Sequence, residues 1–291
     1  MKFGRSSIDS NLFQLVVQEE GQFATLSGLN SLGDALRMTR DQFRESAANL
    51  PRLKIAPPLL LAPVSTEMEV WGAGVTYLRS RDARTHESVN PNVYERVYDA
   101  DRPELFFKST ARRVVGNGQK IGIRFDSISS IPEPEVAVVV NCFREVVGYT
   151  ICNDVTARSI EGENPLYLSQ AKIYVGSTAL GPDITPIWDA PNASEMGIRA
   201  QIVRAGATVW RAETSLNELH RSLDQLIEYL FRCQTFPHGV ILSTGTGIVP
   251  PPDVNLQSGD VVRIEVDGVG ELVNEVEVIP AETPVHTIRN L

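Results

Sequence analysis

Glu133-Pro134-Glu135 opens the apolar run Val136-Ala137-Val138-Val139-Val140. In an extended strand side chains alternate faces, so both carboxylates project to one side, roughly 6.5–7 Å apart. Like charges entering a buried strand repel and lose hydration. A divalent cation relieves both penalties, and hard ions (Mg²⁺, with Mn²⁺ or Ca²⁺ as alternatives) take oxygen ligands. Solvated glutamates at a strand edge, where Pro132 and Pro134 are tolerated, are the competing reading. Hairpin geometry supplies a third carboxylate. Residues 136–140 and 146–152 flank Asn141 to Glu145, and a hairpin centred near residue 143 brings Asp154 about opposite Glu133. Glu133, Glu135 and Asp154 are therefore the expected metal ligands. Their combined charge exceeds that of one dication, so a nearby cation is expected, with Lys172 and Lys108 as candidates.

Other segments carry weaker signals. Asp154, Arg158, Glu161, Glu163, Asn164, Gln170 and Lys172 stand among Pro165, Leu166, Tyr167 and Leu168, a mixture that suits a loop folded over a pocket. Glu104 precedes a short alternating strand, and a desolvated carboxylate there could act as acid or base. Ser243-Thr244-Gly245-Thr246-Gly247 lacks the lysine of a phosphate loop; its hydroxyls and N–H groups suit a carboxylate instead, and a plain tight connection is an equal reading. Gly72-Ala73-Gly74 is too short for a dinucleotide fingerprint, and a G-x-S-x-G nucleophile elbow is missing.

These groups need a scaffold, and the chain is long enough to provide one. Its 291 residues, 42% hydrophobic and 22% charged, suit a globular protein of one or two domains. A net charge of −9 argues against nucleic acid as partner. No apolar run reaches the ~18 residues of a membrane helix, and Met1-Lys2-Phe3-Gly4-Arg5 is not the start of a secretory signal. Cys142, Cys152 and Cys233 lack zinc-type spacing and suit a reducing cytoplasm. Residues 13–17 read as a strand, 30–48 as helical, and the proline-rich 51–63 as a linker or edge segment. Short β-rich runs follow at 105–108, 136–140, 146–152, 198–204, 240–242, 261–266 and 273–279. Leu216, Leu219, Leu223, Leu226, Ile227, Leu230 and Phe231 predict one helix, with Ser215 and Glu218 as its capping box and His220 on its surface. The expected class is α+β and β-rich.

Taken together, the segments resemble the fumarylacetoacetate hydrolase superfamily from about Trp71 to Val266. The pieces that carry the likeness are Val70-Trp71-Gly72-Ala73-Gly74, Glu104-Leu105-Phe106-Phe107-Lys108, Glu133-Pro134-Glu135, Gly148-Tyr149-Thr150 through Asn153-Asp154-Val155-Thr156-Ala157-Arg158, and Thr244-Gly245-Thr246. The resemblance implies a mixed β-sandwich or roll core, expected at 66–291, and residues 1–65 read as a small N-terminal α+β domain ahead of it. It places the metal ligands on Glu133, Glu135 and Asp154, and a characteristic lysine on Lys172. Many hydrolases of the superfamily carry a His and a Glu on a lid, in a pattern close to N-Y-x-x-H-x-x-E. Here Tyr77 aligns, but Ser80 and Ala83 occupy the His and Glu positions, and His86-Glu87 lies slightly beyond.

The segments 94–100, 102–104 and 161–174 are similar to the branch of 2-keto-3-deoxy-D-arabinonate dehydratases. That likeness implies Mg²⁺-dependent loss of water from a 2-keto-3-deoxy-pentonate through a metal-stabilised enolate, giving 2,5-dioxopentanoate in pentose breakdown. Lys172 and Glu104 would move protons. Thr246, Gly245, Arg79, Arg81, Tyr77 and Lys108 would hold the keto sugar acid. The family also implies a homodimer or homotetramer. A hydrolase or decarboxylase of acylpyruvate-like diketo acids, and a non-catalytic keto-acid-binding protein, are the rival readings.

Overall fold

The strand Pro134–Val140 is buried at every position. Val136, Val138 and Val140 enter one core cluster, whereas Ala137 and Val139 enter another. A strand covered on both faces has no solvent side, which is why its sequence runs apolar instead of alternating. The computed structural model describes residues 1–8, 12–87 and 91–282. In it this strand lies within a large mixed sheet. The order is Arg52–Ile55, Gln22–Leu26, Phe13–Glu19, Lys2–Ser7, Thr178–Pro186, Val146–Asp154, Pro134–Val140, Val240–Ser243, Glu69–Gly74 and Glu104–Thr110. A second sheet orders Ala207–Ser215, Gly197–Arg204, Val261–Val266, Gly270–Ile279 and Lys120–Arg124. Ile198, Ile202, Ile264 and Leu272 of the second sheet share a buried cluster with Val136, Val138 and Ile151 of the first, which makes the two layers a sandwich.

The hairpin holding two of the expected ligands has a defined register. Asn141 builds its turn: the side-chain carbonyl accepts from the Phe143 and Glu145 N–H groups at 3.0 and 2.9 Å. Val146 pairs with Val140, but Gly148 pairs with Val139, so a bulge at Val147 shifts the register by one. Cys152 then faces Glu135, Asn153 faces Pro134, and the Asp154 N–H donates to the Glu133 carbonyl at 2.9 Å. Asp154 thus lies opposite Glu133.

The first 65 residues contribute strands to the same sheet, joined through Phe3 opposite Ile184. Phe3, Leu15, Leu36 and Phe43 share a core with Ala137, Val139 and Ile241. The helical stretch at 30–48 is two helices, Leu32–Ala35 and Arg40–Asn49, and Thr39 with Gln42 forms the capping box of the second.

The single helix expected over 215–231 is broken. A 3₁₀ turn at Leu216–Glu218 gives way to extended Leu219 before the α-helix Leu223–Leu230 begins. Ser215 caps only the turn, and Ser222 is the N-cap of the helix. Tertiary bonds explain the break. The His220 N–H donates to the Thr76 carbonyl at 2.9 Å, and Arg221 Nη2 donates to the carbonyls of Val97, Tyr98 and Ala100. The His220 ring stacks on Tyr98 at 4.2 Å, off the helix altogether. Among the described residues no helix is long and apolar enough to cross a membrane.

Candidate metal centre and catalytic cavity

Glu133, Glu135 and Asp154 are buried, and one oxygen of each lies within 4.8 Å of the others. Different elements hold each carboxylate. The Ser243 hydroxyl and the Gly245 N–H both donate to Glu135 Oε2, at 2.5 and 2.8 Å. Gly245 has φ +91°, and a Cβ there would fall 2.0 Å from Thr76 Oγ1, so both conformation and space demand glycine. Lys172, the last residue of the short helix Leu168–Lys172, donates to Glu133 Oε2 at 2.6 Å, to Asp154 Oδ2 at 3.0 Å and to Thr156 Oγ1 at 2.7 Å. Arg84, on the helix Leu78–Glu87, bridges Glu133 and Glu161.

The charges do not balance. Five carboxylates line the cavity (Glu104, Glu133, Glu135, Asp154 and Glu161), while Arg84, Lys108 and Lys172 are the cations that meet them among the described residues. With every group ionised, the cluster is two positive charges short, the charge of a single divalent ion. Glu135 shows where it would go. Burial, then the charges of Asp154 and Glu133, push its carboxyl up to about 8, and no described cation pairs with it. Burial also works against Glu133, yet Lys172 and Arg84 outweigh it and hold that carboxyl at about 2. The donor set therefore fits an oxygen-seeking dication.

The cavity at this centre is small, about 20 Å³, and Glu104, Lys172, Gly245 and Thr246 are among the residues that line it. Burial and the Glu161 charge raise the Glu104 carboxyl to about 7, against the pull of Lys172 and Arg84. It is thus able to hold or release a proton near neutrality. Burial opposes the charge on Lys172, but Asp154, Glu133 and Glu161 prevail and keep it protonated above the ordinary lysine range.

Four of the expected substrate contacts lie elsewhere. Lys108 has 0% exposure and sits behind the cluster, with its ammonium 2.5 Å from Asp154 Oδ1 and bonded to the carbonyls of Val155 and Lys172 at 3.3 and 2.6 Å. A side chain walled in this way positions a ligand and the loop behind it. Tyr77 is buried beneath Gly247. Arg79 donates to the Glu213 carbonyl at 3.3 Å, and Arg81 pairs with Asp82 over the Tyr98 ring. Both arginines point off the helix face that meets the cavity. The face itself carries Ser80 and Arg84, one turn apart. Arg84 is the residue that sequence reading missed, although its i+4 spacing from Ser80 was available as a signal. His86 is exposed and borders a separate surface cleft with Arg81, Glu95 and Asp99. The side chain of Glu87 lies outside the described residues. The loop Ser243–Thr246, expected to hold a substrate carboxylate, directs its Ser243 hydroxyl and Gly245 N–H to Glu135, and its Thr246 hydroxyl to the Pro134 carbonyl at 2.8 Å.

A buried three-carboxylate centre at the end of a strand hairpin, inside a two-layer sandwich, defines a class of metal-binding α+β enzymes. The chain belongs to the fumarylacetoacetate hydrolase family, whose profile, described as fumarylacetoacetate hydrolase C-terminal, matches residues 69–277. It is 45% identical over 217 residues, 75% of this chain and 74% of the relative, to a probable 2-keto-3-deoxyxylonate dehydratase of Haloferax volcanii. It is 43% identical over 213 residues, 72% of each chain, to a 2-dehydro-3-deoxy-D-arabinonate dehydratase of Saccharolobus solfataricus. A solved structure of 2-keto-3-deoxy-D-arabinonate dehydratase complexed with magnesium and 2,5-dioxopentanoate superimposes with a TM-score of 0.83 at 32% identity, over 96% of this chain and 99% of that one.

Proposed function

We propose that this protein removes water from a 2-keto-3-deoxy-pentonate, such as 2-keto-3-deoxy-D-arabinonate, giving 2,5-dioxopentanoate. Glu133, Glu135 and Asp154 would hold Mg²⁺. The observation that carries the reading is the deficit of two positive charges at a buried oxygen cluster, in a chain similar to dehydratases of this substrate class. The ion, when bound, supplies Lewis-acid polarisation of the 2-keto group, which acidifies C3.

The chain's own groups then move protons. One proton leaves C3, and the C4 hydroxyl departs with another as water. A C5 proton leaves while C3 is reprotonated, and the resulting C4–C5 enol tautomerises to the aldehyde. Glu104, with a carboxyl poised at about 7, is suited to both giving and taking protons. Lys172 lines the same space, and we assign it the second proton-transfer role, giving up and retaking a proton from its ammonium while it stays on Glu133 and Asp154. Ser80 and Ala83 replace the lid acid–base pair that would activate water, which weighs against the hydrolase reading. Lys172 and Glu104 in the cavity weigh against a mere keto-acid binder.

Incubation of the purified protein and Mg²⁺ with 2-keto-3-deoxy-D-arabinonate, followed by assay for aldehyde, pyruvate and carbon dioxide, tests the proposal. Aldehyde alone is expected; pyruvate or carbon dioxide would favour the diketo-acid reading, and no product would leave only binding. We further propose a homodimer or homotetramer, on the family resemblance. A cytoplasmic location is supported by the unpaired state of all three cysteines.

A further inference from the structure

A carboxylate-bearing substrate that enters this cavity meets an acidic wall, and two cations line it among the described residues, Lys172 and Arg84. Lys172 donates to Glu133, Asp154 and Thr156, and an ammonium has three N–H groups. Turning it to a ligand would dismantle its hold on the metal ligands. Arg84 differs in origin and in partners. It comes from the helix Leu78–Glu87, whose cavity face also bears Ser80, and its guanidinium spans Glu133 and Glu161. A dication arriving at Glu133 takes over the neutralisation that Arg84 provides there. The guanidinium can then exchange Glu133 for an incoming carboxylate at low electrostatic cost. Its planar fork matches carboxylate geometry in a way that a point-charge ammonium does not.

We propose that Arg84 is the specificity-determining residue for the acid group: once the ion is bound, its guanidinium takes the C1 carboxylate of the substrate. The inference rests on the keto-acid reading above, and it explains how an acidic cavity accepts an anion. It also gives the lid helix a function in place of the missing acid–base pair, namely selection of substrate instead of activation of water.

The probe is 2-oxobutanoate, a keto acid with no C4 hydroxyl to lose, compared with its uncharged amide by titration calorimetry of the full chain in saturating Mg²⁺. The wild type should prefer the acid. Arg84→Met should weaken acid binding by about 10- to 100-fold and leave the amide unchanged. Arg84→Lys should recover part of the loss. Mg²⁺ affinity without probe should be undiminished in both variants, because Arg84 competes with the ion for Glu133. Equal losses for acid and amide would overturn the proposal, as would a fall in Mg²⁺ affinity or acid binding in Arg84→Met within about threefold of wild type. A wild type indifferent to the charge would overturn it too. Turnover is not read in this experiment, so its failure is separate from failure to form 2,5-dioxopentanoate from the sugar acid.

Discussion

Replacing Glu104 by glutamine should make the metal-free protein more stable and the enzyme less active. Glu104 enters the cavity beside Gly74, where burial and the Glu161 charge raise its carboxyl from 4.5 to about 7. A raised carboxyl means that the folded state keeps its proton to higher pH than the unfolded chain does. The stabilisation is complete below about 4.5 and is lost as pH climbs through about 7. At 1.36 kcal/mol per unit, ionised Glu104 costs the fold about 3 kcal/mol above pH 7, and about 2 after allowance for partial solvent access. Glutamine keeps the shape and removes the charge. Urea unfolding of both proteins in a chelator, at pH 5 and pH 8, isolates this residue because other titrating groups cancel in the difference. The variant should gain about 2–3 kcal/mol on the wild type at pH 8 and much less at pH 5. Formation of 2,5-dioxopentanoate should fall by about 10²- to 10⁴-fold. An unchanged gap between the two pH values would refute the electrostatic reasoning. Full activity would refute the proton-transfer role.

Other changes probe the supports of the centre. Lys108→Met should cost about 3–5 kcal/mol in urea unfolding, because it strands a buried Asp154 oxygen and two carbonyls; a loss below about 1 kcal/mol would show that Lys172 alone satisfies Asp154. Glu135→Gln should weaken Mg²⁺ binding by about tenfold or more in calorimetry, and chelation of the wild type should abolish turnover until Mg²⁺ is restored. Gly245→Ala should lower stability by about 1–3 kcal/mol in thermal unfolding and weaken Mg²⁺ binding, since the N–H that orients Glu135 moves with the strained backbone.

The sequence revealed strands best where burial on both faces left a continuous apolar signature. Pro134–Val140 and Val240–Ser243 are such strands, and they stand side by side in the sheet. Thr178–Pro186 was not among the expected strands. Its Gly181, Pro182 and Pro186 are residues that argue against a strand interior, yet the segment pairs with Val146–Asp154 along most of its length. Ala207–Ser215 was hidden for the opposite reason, because it is largely exposed and carries little periodic signal. The helix over 215–231 had the right apolar spacing. It broke because Thr76 and the carbonyls near Tyr98 recruit His220 and Arg221, bonds between segments far apart in the chain.

The same division runs through the site. Glu135 and Asp154 lie on one hairpin and Glu133 stands immediately before its first strand, so alternation and register suffice to bring them together, and the bulge at Val147 supplies the one-residue shift that sets Asp154 opposite Glu133. Local geometry of this kind is written in the residues that form it. The cations are another matter. Arg79, Arg81 and Arg84 occupy one helix, and which of them turns inward depends on how that helix docks against the sheet. Docking is decided by partners remote in sequence, among them Arg221, which binds the carbonyls at the end of the following helix Pro91–Tyr98. A 100° step per residue separates neighbouring positions on a helix, so an error of one residue in docking exchanges a surface arginine for a buried one. Electrostatics then selects among them. Arg84 is buried, and Glu133 and Glu161 offset its desolvation, whereas Arg81 meets Asp82 at the surface.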